Sequence, residues 1–361
     1  MLESDGPGGA EVVMFQLSEE LRRKGHEVVH VGPAEGEGWL GGLFREAGFA
    51  SETFHLDRPV DFRALAALTE TLRKARVDVV HSHEFTMCVY GAAAANRLGI
   101  PHVTTMHGNQ KMMDKLRRRV ALRWAFRKAR LVVGCSDATS RDVEQGLGLE
   151  PGAIHPIRNG VPERPGERRL VREELELADD ELLIAAVGNV VVRKGHLVLL
   201  QALATLEDEG LDVPWRVAVA GDKRDATEAI EALITERGWA GRVHLLGARD
   251  DVPHLLAAAD VFTMPSLWEG LPLAVLEAMF AGLPIIASRT SGIPEAISSD
   301  EYGLLAAPGD VPDLAKHLGA VLRDRELRAR LGTSARERAL AEFTVSVMTD
   351  RYLASYRGER A

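Results

Sequence analysis

The sequence predicts an α/β protein made of two parallel-sheet domains, and three observations carry that prediction. Short β-branched runs alternate with amphipathic helical patterns from end to end, which is how a parallel sheet covered by helices reads. The rhythm breaks at the polar, Pro- and Gly-rich stretch Pro162–Arg169 and then restarts, so that stretch reads as a linker. At 361 residues, the chain has room for two domains of ordinary size.

In the first half, Val28–Val31, Val77–His81, His102–Met106 and Leu131–Gly134 read as buried strands. The helix after Gly9 carries Val13, Leu17 and Leu21 four residues apart on one face, and Gly25 supplies its stop. In the second half the strands are Leu182–Val187, Val217–Ala220, Val243–Leu246, Val261–Met264 and Pro284–Ser288, and the segment from Phe343 to Arg357 is helical. The expected domains are residues 1–162 and 170–342. One element is out of place: the first helix should follow a strand, yet only Met1 and Leu2 precede the loop Glu3–Gly9. The first strand of a doubly wound sheet is central, so either residues lie upstream of Met1 or that strand is abnormally short.

Composition narrows the function. Apolar residues make up 46% and charged residues 27%, the balance of a globular protein, and the formal charge of −9 argues against general nucleic-acid binding. An acidic chain that binds an anion needs locally arranged donors. Cys88 and Cys135 form neither a disulfide framework nor a metal-ligand cluster, which fits a reducing, cytoplasmic setting. No apolar run reaches the length of a membrane span, and the N-terminus lacks the pattern of a signal peptide.

Four stretches carry chemistry. Gly6-Pro7-Gly8-Gly9-Ala10-Glu11 opens a helix, where free amides attract anions, although a tight strand-to-helix turn explains it equally well. It is not the dinucleotide fingerprint, because Gly8 and Gly9 are adjacent. His107 ends the strand Thr104-Thr105-Met106 at the sheet edge where ligands bind. A lone histidine is more often structural, but His81 and His83 end the neighbouring strand on the same edge. No nearby Cys, Asp or Glu completes a zinc spacing.

Gly188-Asn189-Val190-Val191-Val192-Arg193-Lys194-Gly195 follows the first strand of the second half. It sets two cations in a strand-to-helix loop, where a diphosphate needs fixed positive charge. Pro265–Met279 is the strongest signal. Pro272 suits the first turn of a helix that Gly282 ends, Glu269 lies in the loop, and Glu277 lies in the second turn. Helical side chains lean toward the N-terminus, so Glu277 reaches back to the mouth where Glu269 sits. A glycosidase acid and nucleophile would also be a carboxylate pair. The adjoining helix N-terminus favours an anion instead, with diphosphate on the amides and cations and one Glu on each sugar.

With these residues the chain resembles the family 4 glycosyltransferases, retaining enzymes of the GT-B fold with two Rossmann-like domains facing across a cleft. The resemblance spans nearly the whole chain. It runs through Gly8-Gly9, His107-Gly108, Asn159-Gly160-Val161, Arg193-Lys194-Gly195, the Glu269-to-Glu277 spacing, and Ala287-Ser288 through Gly292-Ile293-Pro294-Glu295. It implies a nucleoside-diphosphate sugar bound by the second domain and a hydroxyl acceptor (sugar, lipid-linked or small molecule) on the first. Glu277 would bind the ribose hydroxyls, Glu269 the transferred sugar, Lys194 the diphosphate, and His107 the donor sugar near its reacting face. Amides around Gly270, Leu271 and Leu273 would complete the phosphate cradle, and residues 343–361 would cross back onto the first domain. The family commonly has Arg where this chain has Asn189. Arg193 is a candidate substitute, but its side chain starts four residues later.

Front-face displacement, with the leaving phosphate oxygen taking the acceptor's proton, asks the protein for positioning and charge stabilisation rather than a strong base. The sequence holds no Asp-x-Asp metal motif, so neither a metal nor another cofactor is expected. The rival readings are a sugar-nucleotide epimerase or phosphorylase of the same architecture, and a non-catalytic sugar-nucleotide-binding partner. Residues 115–130 interleave basic residues with Leu116, Val120, Trp124 and Phe126. That pattern suits peripheral contact with an anionic membrane, yet the stripe Leu116, Val120, Trp124 is narrow, as packing on a sheet requires, and packing is the expectation.

Overall fold

The computed structural model describes residues 1–4, 6–33, 38–108 and 113–359, so Asp5 of the first loop lies outside the described residues. The chain forms two compact units, residues 1–160 with 345–361, and residues 161–344.

Unit 1 runs α1 (Gly9–Arg23), β1 (Val29–Pro33), α2 (Trp39–Glu46), β2 (Ala50–Phe54), α3 (Phe62–Lys74), β3 (Val80–His83), α4 (Glu84–Leu98), β4 (His102–Met106), α5 (Leu116–Lys128), β5 (Leu131–Gly134), α6 (Asp137–Leu147) and β6 (His155–Pro156). Its strands pair in parallel as β1-β2 and as β3-β4-β5-β6. Met1 and Leu2 join the two groups. The Leu2 amide donates to Val31 O at 3.2 Å, and the His83 amide donates to Met1 O at 2.9 Å. Met1 N also donates to His81 O at 2.8 Å, so these two residues bridge β1 and β3 with one hydrogen bond to β1 and two to β3.

Unit 2 runs α7 (Arg168–Glu174), β7 (Leu182–Val187), α8 (His196–Asp208), β8 (Trp215–Ala220), α9 (Thr227–Arg237), β9 (Val243–Gly247), α10 (Val252–Ala258), β10 (Val261–Met264), α11 (Leu273–Phe280), β11 (Ile285–Ser288), α12 (Ile293–Ala296), β12 (Leu304–Ala306), α13 (Val311–Arg323) and α14 (Arg325–Glu342). The sheet is parallel, in the order β12-β11-β10-β7-β8-β9. Its strands are apolar on both faces because helices cover both. Along β7, Leu183 and Ala185 enter one core, while Ile184 and Ala186 enter the other.

The last helix, α15 (Val345–Arg357), belongs to unit 1. Lys24 at the end of α1 reaches Asp350 at 2.8 Å, and the Tyr352 hydroxyl lies 3.0 Å from Thr105 Oγ1 at the end of β4.

Candidate functional site

In unit 2 the chain winds from β7 outward through β8 and β9, then restarts on the other side of β7 with β10. The strand order reverses between β7 and β10, which is where open α/β sheets bind ligands. The loops leaving these two strands are the basic loop Gly188–Gly195 and the acidic loop Pro265–Pro272. They are locked together. The Leu267 amide donates to Arg193 O at 2.8 Å, and Gly195, at φ +69°, leaves room for Pro265 O, which would lie 2.0 Å from any Cβ there.

The lock brings the charged residues into contact. Lys194 Nζ is 2.7 Å from Glu269 Oε1, and Arg193 Nη1 is 3.2 Å from Glu269 Oε2 and donates to Trp268 O at 2.8 Å. Glu269 is only 7% exposed. The cluster holds two cations against one carboxylate and carries net positive charge. Pro272 caps α11 and sits just before its first turn, and no side chain caps that end. The Leu273 and Ala274 amides thus keep their donors beside the positive end of the helix dipole, while the Val275 amide donates to Pro272 O at 3.2 Å.

Glu277 lies one turn into α11 and is mostly buried. Burial pushes its carboxyl up, and the charge of Arg164 pulls it back. Among the described residues its side chain makes no hydrogen bond or ion pair. The Ser266 hydroxyl and the Trp268 indole N–H in the acidic loop, and His196 Nδ1 at the start of α8, are buried without partners among the described residues. Burial pushes the His196 imidazole down to about 4, and the charge of Lys194 adds to the effect. Buried polar atoms are nearly always satisfied, so these atoms are candidates to meet a polar ligand. Sequence reasoning did not pick out Ser266, Trp268 or His196. Their signal is only that they lie beside the charged motifs.

Three other residues read from the sequence lie in or beside these loops. Asn189 is exposed, and its Oδ1 accepts the Asp222 amide at 3.1 Å. Gly270 O accepts the Gly292 amide at 2.9 Å, which ties the acidic loop to the segment after β11. Leu271 is buried behind that loop.

Unit 1 has a different edge. His83 Nδ1 and His107 Nε2 share a hydrogen bond of 2.9 Å, with stacked rings 5.2 Å apart, and His83 stacks on His81 at 4.3 Å. His81 contacts the Tyr356 hydroxyl and Thr105 Oγ1, each at 2.8 Å. Burial pushes His107 down to about 4 and holds His81 and His83 well below the usual imidazole range. The column is neutral near pH 7, able to hydrogen-bond but not to neutralise a phosphate. At the start of α1, Gly8 lies against Glu11, whose Oε2 would be 2.4 Å from a Cβ, while a Cβ at Gly9 would meet nothing within 4 Å among the described residues. Glu11 is buried and accepts from Ser4 Oγ, so this helix end already holds a carboxylate.

The basic helix α5 departs from the expectation of packing. Leu116, Val120 and Trp124 are 74%, 60% and 40% exposed, and the helix buries Leu122 and Ala125 instead. The 3.6-residue period does not say which face meets the sheet. Here the larger apolar stripe points to solvent.

Two family models match the chain. Glycosyltransferase Family 4 matches residues 7–164, and Glycosyl transferases group 1 matches residues 167–338. The D-inositol 3-phosphate glycosyltransferase of Mycobacterium bovis is 30% identical over 389 residues, covering 97% of this chain and 78% of that protein. The UDP-Gal:alpha-D-GlcNAc-diphosphoundecaprenol alpha-1,3-galactosyltransferase of Escherichia coli is 28% identical over 307 residues, covering 81% of this chain and 78% of that one. Among solved structures, HepE of Anabaena in complex with UDP matches with a TM-score of 0.85 at 23% identity, over 99% of this chain and 98% of that one. HepE in complex with UDP-glucose matches with a TM-score of 0.82 at 22% identity, over the same shares.

Proposed function

The chain belongs to glycosyltransferase family 4 and has the GT-B fold. From that premise we propose that it moves a hexose-type sugar from a nucleoside-diphosphate donor to a hydroxyl acceptor with retention, without a metal, in glycan, glycolipid or glycoconjugate synthesis. The observation that carries this reading is Glu269 clasped by Arg193 and Lys194 at the mouth of α11, with the unpaired Glu277 one turn inside.

A donor diphosphate would take Lys194, Arg193 and the first amides of α11, releasing Glu269 to the hydroxyls of the transferred sugar. Glu277 would accept from the ribose diol, which satisfies a partly buried carboxylate with no hydrogen bond among the described residues. The bond from the anomeric carbon to the phosphate oxygen breaks while the acceptor oxygen bonds to the same face, and the acceptor's proton passes to the departing phosphate. Fixed cations and amides stabilise the charge that develops on that phosphate.

Uridine diphosphate sugars are the first donors to test, since HepE was solved with UDP and UDP-glucose and the E. coli relative is named for UDP-Gal. A thermal-shift screen against UDP, GDP, ADP and their sugars checks donor binding. Release of UDP that depends on an added acceptor checks transfer. Product from donor alone would indicate epimerisation, and binding with neither hydrolysis nor transfer would indicate a non-catalytic partner. EDTA should leave transfer nearly intact; complete loss, restored by magnesium or manganese, would overturn the assignment of the phosphate site.

The exposed stripe of α5 supports peripheral contact with an anionic lipid surface, the setting of a lipid-linked acceptor. Leu116, Val120 and Trp124 stand beside exposed Lys115, Arg117, Arg127 and Lys128, and no acidic residue lies between Lys115 and Arg130. Phosphatidylglycerol vesicles should blue-shift the fluorescence of Trp124, and about 0.5 M salt or Leu116→Ser with Val120→Ser should abolish the shift. Equal binding to phosphatidylcholine, or none to either, would refute the contact.

A further inference from the structure

The ligand edge of unit 1 holds an acidic residue that the donor chemistry does not use. Glu84 opens α4 directly after β3 with φ +63°, in the left-handed region that side chains with a Cβ adopt at a cost. Its Oε1 accepts the His107 amide at 3.0 Å, while its Oε2 is buried with no partner.

Among the described residues no cation offsets this carboxyl. The groups facing it are Glu11 from α1, the Cys88 thiol on its own helix, and neutral His107 at the end of β4. The guanidinium of Arg118, from α5, lies instead over the Phe85 ring at 5.4 Å. Burial, with a smaller push from Glu11, raises Glu84 to about 7. A left-handed backbone and a half-satisfied buried carboxyl both work against stability. Such features persist where the surrounding site needs them.

We propose that Glu84 is a positioning residue for sugar transfer: its carboxylate holds the His107 backbone while His83, its neighbour in sequence, holds the His107 ring. His107, directly after β4, is then fixed at two points, its amide and its ring. This rests on the transfer reading given above. It does not concern the donor residues of unit 2.

The sign of the pH effect follows from the raised value. Glu84 contributes most to stability below its ordinary pKa of about 4.5 and loses that contribution as pH rises through about 7. Glu84→Gln cannot ionise, so its melting temperature should match the parent at pH 5 and exceed it at pH 8. Glu84→Gly also relieves the left-handed backbone and should melt about 2–4 °C higher at pH 8.

The test measures melting temperature, UDP affinity, and kcat against pH for the parent and both variants. Glu84→Gly should lose at least about 30-fold in kcat with UDP affinity unchanged, although it is the more stable protein. Glu84→Gln keeps an acceptor oxygen for the His107 amide and should recover most of kcat. Glu84→Gly that melts lower and loses activity in proportion would show a merely structural residue, and kcat within twofold of the parent would overturn the proposal. A parent that transfers no sugar from any donor would instead refute the transfer reading itself.

Discussion

At the carboxyl edge of its sheet, unit 2 sets two cations against one carboxylate, whereas unit 1 presents three neutral imidazoles beside two buried carboxyls. The sheets are both parallel and both open ligand loops at the centre, so topology does not distinguish them. Charge does. A diphosphate brought to unit 1 would meet Glu11 and Glu84 and find no charged imidazole, because burial keeps His81, His83 and His107 unprotonated at neutral pH. At unit 2 it would meet Arg193, Lys194 and an uncapped helix N-terminus. On the proposed reading, one architecture would host an anion site in one half and a site for neutral hydroxyls in the other, with the difference lying in the loop residues.

The largest effect that would sharpen this contrast is expected at Glu269. Glu269→Ala removes the proposed contact to the transferred sugar and should lower kcat by roughly 10²–10³. It also removes the carboxylate that occupies Lys194 and Arg193, so bare UDP should bind at least as tightly as in the parent. Calorimetric titration with UDP, set beside initial rates of transfer, checks both halves. A large loss of UDP affinity would mean that Glu269 helps to build the phosphate site rather than competing for it.

Glu277→Ala should instead weaken UDP itself, since a hydrogen bond to a charged group contributes roughly 1.5–3 kcal/mol, or about 10- to 150-fold. Its stability signature runs the other way. Burial raises this carboxyl above its ordinary value, so it stabilises the fold at low pH and loses that contribution as pH rises through its folded pKa. Glu277→Gln should therefore melt higher than the parent at pH 8 without ligand, and gain less from added UDP. A variant that binds UDP as the parent does would remove Glu277 from the ribose.

How much of this could be read in the sequence depended on whether the deciding contact was local. The strands of unit 2 from Leu182 to Ser288 were legible because their runs are mostly apolar, with Arg216 and His244 as the charged or titratable exceptions. Strand β2 was not, because Ser51, Glu52 and Thr53 are exposed and leave no apolar run. Strand β3 starts at Val80 rather than Val77, since its ladder begins where the Val80 amide meets Pro101 O, a partner far along the chain. In the site, the positions of Lys194, Glu269 and Glu277 followed from loop and helix spacing. The pairing of Glu269 with both cations did not, because it depends on Gly195 letting two distant loops close. The left-handed start of α4 at Glu84 had no local signal, an acidic residue being ordinary in a first helical turn.

The smallest effect concerns Asn189, where the family commonly carries Arg. Asn189 Oδ1 holds the Asp222 amide, and Arg193 already places its guanidinium 3.2 Å from Glu269. On the proposed reading the missing family cation is supplied from four residues farther on, while Asn189 holds the loop after β8. Arg193→Ala should weaken donor binding about 10-fold, in line with one charge-assisted bond. Asn189→Arg loses the bond to Asp222 and adds a like charge beside the basic loop. The lost bond alone is worth roughly 0.5–1.5 kcal/mol, so donor affinity should fall only about two- to tenfold. Titrating both variants with the same UDP-sugar decides between the two accounts. A gain in affinity for Asn189→Arg, with Arg193→Ala nearly silent, would place the second cation at residue 189 and leave Arg193 as a surface partner of Trp268.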